Sequence, residues 1–181
     1  AESTDKDIIH WAMQDAALTH PHQICQQANA LFVLGIARAI QKGLSAQEVY
    51  ELIHNYAEHL DVDFELKAVI GDAAFMPPSD YIDKQDWVLI AFQNALWQLL
   101  HASSLEEAIV DTVGRGGDTD TNAAICGALL GAVHGIDALP QQWISSRLTC
   151  RPEQGKPDVK RPRPERYWPV DALVIAERLA T

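Results

Sequence analysis

The stretch from His22 to about Gln41 is apolar on nearly every side, with Ala28, Leu31, Phe32, Leu34, Gly35, Ile36 and Ile40 spread around the helical wheel. A helix without a polar face is stable only when other elements cover it all round, so this segment predicts the centre of a bundle. Gly43 follows as a C-terminal cap, because glycine takes the left-handed conformation that ends helices at little cost. On both sides the chain is punctuated by further helix signals. Thr4 with Asp7 predicts a capped start for a helix running to about Leu18. Ser45 with Glu48 and Ser104 with Glu107 have the spacing of capping boxes, in which the cap hydroxyl and the acidic side chain each satisfy a free backbone N–H.

Between these starts the apolar residues recur at helical intervals: Val49, Leu52, Ile53, Tyr56 and Leu60, then Trp87, Ile90, Ala91, Asn94, Trp97 and Gln98. Met76-Pro77-Pro78-Ser79-Asp80 marks a loop. Pro140 opens a short helix, and Pro169 or Asp171 opens the last one. No segment shows sustained strand alternation, and no internal repeat is evident. The expectation is an all-α, compact bundle.

With 181 residues the chain can bury a core without disulfides. Its net charge of −11 argues against broad attraction to nucleic acid. The local exception is 151–166, where six Lys or Arg residues stand among four prolines, which reads as an extended, solvated segment. No apolar run reaches the roughly 20 residues of a membrane-spanning helix. Cys25, Cys126 and Cys150 lack metal-ligand spacing, and the first two sit in apolar surroundings as small buried residues. With no signal peptide visible, a reducing cytoplasm is the expected compartment.

Chemistry concentrates in Arg115-Gly116-Gly117-Asp118-Thr119-Asp120-Thr121-Asn122. Two glycines permit a tight turn and close approach of backbone to a ligand. Two carboxylates and a hydroxyl then fall in the first turn of a helix. Asp118 and Asp120 do not share a helical face, yet they converge if Asp118 lies at the cap, where the backbone leaves helical geometry. Their oxygens are hard ligands, suited to Mg²⁺ or Mn²⁺ rather than zinc. An aspartate at a helix start is by itself most often a plain cap, since it accepts from free N–H groups and opposes the dipole.

The whole string is more specific. Gly116-Gly117-Asp118-Thr119-Asp120-Thr121, followed by the small-residue helix Ala123-Ala124-Ile125 with Gly127, Ala128, Gly131, Ala132 and Gly135, resembles the C-terminal signature of the ADP-ribosylglycohydrolases. Ala95-Leu96-Trp97 and Ser104-Leu105-Glu106-Glu107-Ala108 resemble the segments that precede that signature. Ile136-Asp137-Ala138-Leu139-Pro140 with Trp143 is similar to the exit from it. Ala17-Leu18-Thr19-His20 resembles the family's threonine–histidine element. The likeness runs from about Asp7 to Ile144, and 151–181 matches only loosely.

The resemblance implies an all-α enzyme with an orthogonal helical bundle, incomplete in this chain, that removes ADP-ribose from a modified acceptor with two Mg²⁺ ions, Mn²⁺ being the alternative. It makes Asp118 and Asp120 the catalytic carboxylates, and Asp118, Asp120 and Thr121 the metal ligands. His20, Gly116, Gly117 and Thr119 become substrate-binding residues, although a histidine beside a proline is as readily a turn residue. Residues 1–150 would form the C-terminal part of the family domain, and 151–181 a Pro/Arg-rich segment with a terminal helix packed on it. The family's other metal motif, a threonine followed by two aspartates, has no counterpart, because no Thr-Asp-Asp string occurs. The expected partners are therefore ADP-ribose or an ADP-ribosylated acceptor, together with an N-terminal segment carrying that motif, in cis or as a separate chain. Nucleic acid and membrane are not expected. An inactive ADP-ribose-binding or scaffold protein, and one chain of a two-chain enzyme, are the competing readings.

Arg115 could meet a pyrophosphate or lie at the surface. Asn94 and Gln98 could face a cleft or hydrogen-bond in the interior. The acidic run Asp61, Asp63 and Glu65 lacks the glycine and distal glutamate of a calcium loop.

Overall fold

The computed structural model describes residues 3–180, and among them every regular element is helical. The chain divides into two compact units, Ala1–Ala138 and Leu139–Thr181, each of which is described by itself. The first contains α1 (Asp5–Thr19), α2 (Gln23–Lys42), α3 (Ala46–His59), α4 (Phe64–Asp72), α5 (Val88–His101), α6 (Leu105–Gly114) and α7 (Thr119–His134).

The sequence signals define the helix ends. Thr4 and Asp7 form a reciprocal capping box on α1, and Ser45 and Glu48 form another on α3. Gly43 ends α2 in the left-handed conformation, with φ 64°. At α6 only half of the expected box forms. The Ser104 hydroxyl accepts from Glu107 N at 3.1 Å, but the Glu107 carboxylate accepts from Ser103 N at 3.0 Å instead of the cap's own N–H. Ser103 competes because its hydroxyl donates to the same carboxylate.

Helix α2 packs against α1, α3, α5 and α7, as its apolar circumference requires. Leu31 and Leu34 are fully buried with Ile53 of α3, and Leu96, Leu129 and Leu130 bring α5 and α7 into the same core. Gly35 sets the α2–α3 spacing, because a Cβ there would lie 2.8 Å from Ile53 Cδ1. The start of α1 is tied to α2 by polar contacts. Arg38, 6% exposed, donates through Nε to Asp5 Oδ1 at 2.5 Å and through Nη2 to Ser3 O at 3.1 Å. The Tyr56 hydroxyl donates to the other Asp5 oxygen.

Asn94 and Gln98 take the interior role. Asn94 accepts from the Tyr81 hydroxyl at 2.8 Å and donates to Thr112 Oγ1 at 3.0 Å, while Gln98 donates to Asp111 at 2.5 Å.

The second unit holds α8 (Gln141–Leu148) and α9 (Ala172–Ala180) joined by an extended basic segment. That segment is closed by Arg163 N donating to Pro152 O at 2.9 Å and Trp168 Nε1 donating to Arg163 O at 2.9 Å. No helix among the described residues is long and apolar enough to cross a membrane.

Candidate functional site

Gly116 and Gly117 both have positive φ, 81° and 72°, and together reverse the chain between α6 and α7. Such angles strain any residue with a Cβ, which is why glycine recurs there. Asp118 follows as the N-cap of α7 with φ −79° and ψ 71°, outside the helical region. Its Oδ1 accepts from Thr121 N at 3.4 Å. The Thr121 hydroxyl above all holds the Asp118 acid below its ordinary range, against an opposing effect of burial and with a lesser contribution from the Asp120 carboxyl. The cap geometry thus brings together the two carboxylates and the hydroxyl, as expected from the break in helical geometry at Asp118.

This helix start lies at a cleft of about 320 Å³. Helices contribute to its walls through residues one turn apart, which share a face. Asp15 and Thr19 come from α1, Cys25 and Asn29 from α2, and Asp118, Asn122 and Ile125 from α7. Gln85, Asp86 and Trp87 close it from the loop before α5. His20 lines the cleft at the end of α1, its Nδ1 2.9 Å from the Thr19 hydroxyl. His22 instead accepts from Ile24 N at 3.3 Å as the cap of α2, and meets the Trp87 ring edge-on at 5.4 Å. An apolar recess of about 130 Å³, formed with Phe32 and Phe92, shares Asn29, Val88, Ala91 and Ile125 with the cleft.

Of the residues singled out in the sequence, His20, Asp118 and Thr121 line the cleft. Gly116, Gly117, Thr119 and Asp120 stand beside it in the turn and first helical residues. Cys25 is only half-buried and borders the cleft, where the sequence suggested a buried residue; Cys126 is fully buried. Arg115 does not line the cleft. Its Nε donates to Asp111 at 2.6 Å, and its guanidinium packs on the rings of Trp97, 4.8 Å from the centroid, and Tyr81, at 5.5 Å.

Sequence reasoning missed Asp15, Asn29, Asp86, Trp87 and Asn122. Asp15 with Thr19, Asn29 with Cys25 and Asn122 with Asp118 lie one helical turn apart, which was a readable signal, whereas Asp86 and Trp87 lie in the loop before α5 and carried none. Asn122 is 1% exposed, and its Nδ2 has no protein hydrogen-bond partner.

Asp118, Asp120 and Thr121 offer oxygens only, which suits a hard divalent cation. Among the described residues no three His, Cys, Asp or Glu side chains are grouped so as to hold a metal ion.

The sequence model of the ADP-ribosylglycohydrolases matches residues 1–160. The chain belongs to the ADP-ribosylglycohydrolase family. It is 32% identical over 161 residues to a protein of Acanthamoeba polyphaga mimivirus named as an ADP-ribosyl glycohydrolase, covering 82% of this chain and 48% of that one. It is 25% identical over 146 residues to the ADP-ribosyl-[dinitrogen reductase] glycohydrolase of Rhodospirillum rubrum, covering 77% and 43%. Against the human ADP-ribosylhydrolase ARH3 it is 23% identical over 180 residues, covering 81% and 50%. The chain thus spans about half the length of the curated relatives it matches. No solved structure gives a significant match. The family match extends the likeness past Ile144, into the basic segment.

Proposed function

We propose that this member of the ADP-ribosylglycohydrolase family supplies one half of a Mg²⁺-dependent site that hydrolyses the glycosidic bond between ADP-ribose and a modified acceptor. The observation that carries the reading is the α7 start, where Asp118, Asp120 and Thr121 gather three hard oxygens beside a cleft that His20 also lines. In this reading those three residues hold the divalent cation, and a Thr-Asp-Asp segment, in cis or on a separate chain, completes the shell.

The charge of the cleft supports the same reading. Asp15, Asp86 and Asp118 line it, and no Lys or Arg is among the described residues that do. A pyrophosphate entering such walls is repelled unless a cation stands between them. Bound Mg²⁺, with Mn²⁺ as the alternative, would supply that charge, orient ribose hydroxyls and polarise the bond under attack.

The chain's own residues then bind and orient. In this reading the Thr19 hydroxyl, 2.9 Å from His20 Nδ1, acts as the donor, which would put the ring proton on Nε2 to meet an anionic oxygen. Trp87 offers a flat face to a ring system, and Asn29 and Asn122 supply amides to the walls. Asp118, its acid held below the ordinary carboxylate range chiefly by the Thr121 hydroxyl, stays available as an ionised ligand across the neutral range. Its replacement by Ala, in a protein with both halves of the site, is expected to abolish Mg²⁺-dependent release of ADP-ribose.

An inactive ADP-ribose-binding or scaffold role is the second reading, favoured by the lack of a complete ligand cluster among the described residues. Calorimetry with ADP-ribose and Mg²⁺ separates the two. Chelator-sensitive binding supports the active-site reading, and no binding supports the scaffold.

A further inference from the structure

We propose that Arg115 is a positioning residue, which holds the turn bearing Asp118 in register with the neighbouring loop that brings Asp86 and Trp87 to the cleft. Gly116 and Gly117 give that turn the largest backbone freedom in the region, yet the oxygens after it must be placed closely to act together. Local hydrogen bonds do little to fix it: Gly116 N reaches Val113 O at 3.3 Å, and Thr119 N reaches Gly117 O at 2.9 Å.

The fixing comes from outside the turn. The Arg115 guanidinium lies between the rings of Trp97 on α5 and Tyr81 on the loop, and its Nε donates to Asp111 at 2.6 Å. Asp111 is itself held by Gln98 at 2.5 Å. Tyr81 meets the turn twice. Its ring faces Arg115, and its backbone carbonyl presses on Gly117, where a Cβ would lie 1.8 Å from the oxygen. Its hydroxyl is anchored on Asn94, which is bonded in turn to Thr112 of α6. The same loop goes on to Asp86 and Trp87 in the cleft wall. One guanidinium therefore joins α5, α6, the glycine turn and the loop, although it touches neither the cleft nor the metal-binding oxygens. The planar, delocalised guanidinium can stack on both rings while its N–H pairs with Asp111, which an ammonium cannot do.

The consequence for metal binding rests on the half-site reading above; the mechanical part does not. The test compares Arg115→Met, Arg115→Lys and, as a control for stability alone, Tyr50→Phe with the unaltered 181-residue chain in three measurements: hydrogen exchange of 114–122 and 80–88, Mn²⁺ affinity by electron paramagnetic resonance, and thermal unfolding. Arg115→Met is expected to speed exchange in both segments and to weaken Mn²⁺ binding about tenfold or more, as loss of an outer support does in metal sites. Arg115→Lys, which keeps the Asp111 pair and loses the stacking, should fall between. Tyr50→Phe removes a buried hydroxyl that donates to Ile70 O, away from the turn and the loop, so it should lower the melting temperature and leave Mn²⁺ affinity unchanged. Exchange and Mn²⁺ affinity that stay at the unaltered level in Arg115→Met would overturn the proposal. So would effects in all variants that merely follow the melting temperature. If the unaltered chain binds no Mn²⁺ while exchange responds as expected, the clamp stands and the half-site reading fails.

Discussion

The backbone carbonyl of Tyr81 occupies the space into which a side chain on residue 117 would have to project, 1.8 Å from the ideal Cβ position. Gly117 is thus required twice, by its φ of 72° and by its neighbour. Gly117→Ala must strain the turn or push the loop aside, at a cost of about 2 kcal/mol or more. The expected result is a lower melting temperature with faster hydrogen exchange at 80–88. An alanine variant with the original melting temperature and exchange would contradict the contact.

Asn122 carries a different prediction. Its buried Nδ2 has no protein partner, and an unsatisfied buried donor costs about 1–3 kcal/mol. Asn122→Leu, of similar size, should raise the stability of the unliganded protein by about 1 kcal/mol in urea unfolding. A loss of similar size would show that the amide is hydrogen-bonded in the free protein.

Acid should loosen the attachment of α1. The Tyr56 hydroxyl first, and Arg38 next, hold the Asp5 carboxyl below its ordinary value of 3.8. A depressed acid contributes stability that is fully present above its unfolded pKa and is lost as pH falls through the folded value. The urea midpoint should therefore drop below about pH 4 in part through Asp5. Arg38→Met should cost about 2 kcal/mol at neutral pH, less than a fully buried pair because Asp5 is a third exposed, and should flatten that acid limb. An unchanged limb in the variant would assign the acid loss to other groups.

What could be read from the sequence was what depends on neighbours in the chain. The apolar circumference of α2, the capping boxes at Thr4 and Ser45 and the cap geometry of Asp118 all follow from spacings of four residues or fewer. The α6 start went astray even at that range, because Ser103 and Ser104 offer Glu107 alternative partners and only packing chooses. The cleft was legible in part. Asp118, Thr121 and His20 stood out through the family signature, whereas Asp15, Asn29 and Asp86 acquire meaning only when α1, α2 and the loop before α5 converge. Arg115 shows the same limit: the sequence left a pyrophosphate contact and a surface role open, and nothing near it announces Trp97 or Tyr81, against whose rings the fold places it.

The proposed role of Asp118 and Asp120 is that of metal-binding carboxylates in an ADP-ribose-releasing site. Its most direct test is ADP-ribose release from an ADP-ribosylated substrate, measured against Mg²⁺ concentration, in a protein that contains this chain with the complementary half of the site. Mg²⁺-dependent release is expected from the unaltered protein, with its loss in Asp118→Ala and in Asp120→Ala while both variants remain folded. Undiminished release in either folded variant would contradict it.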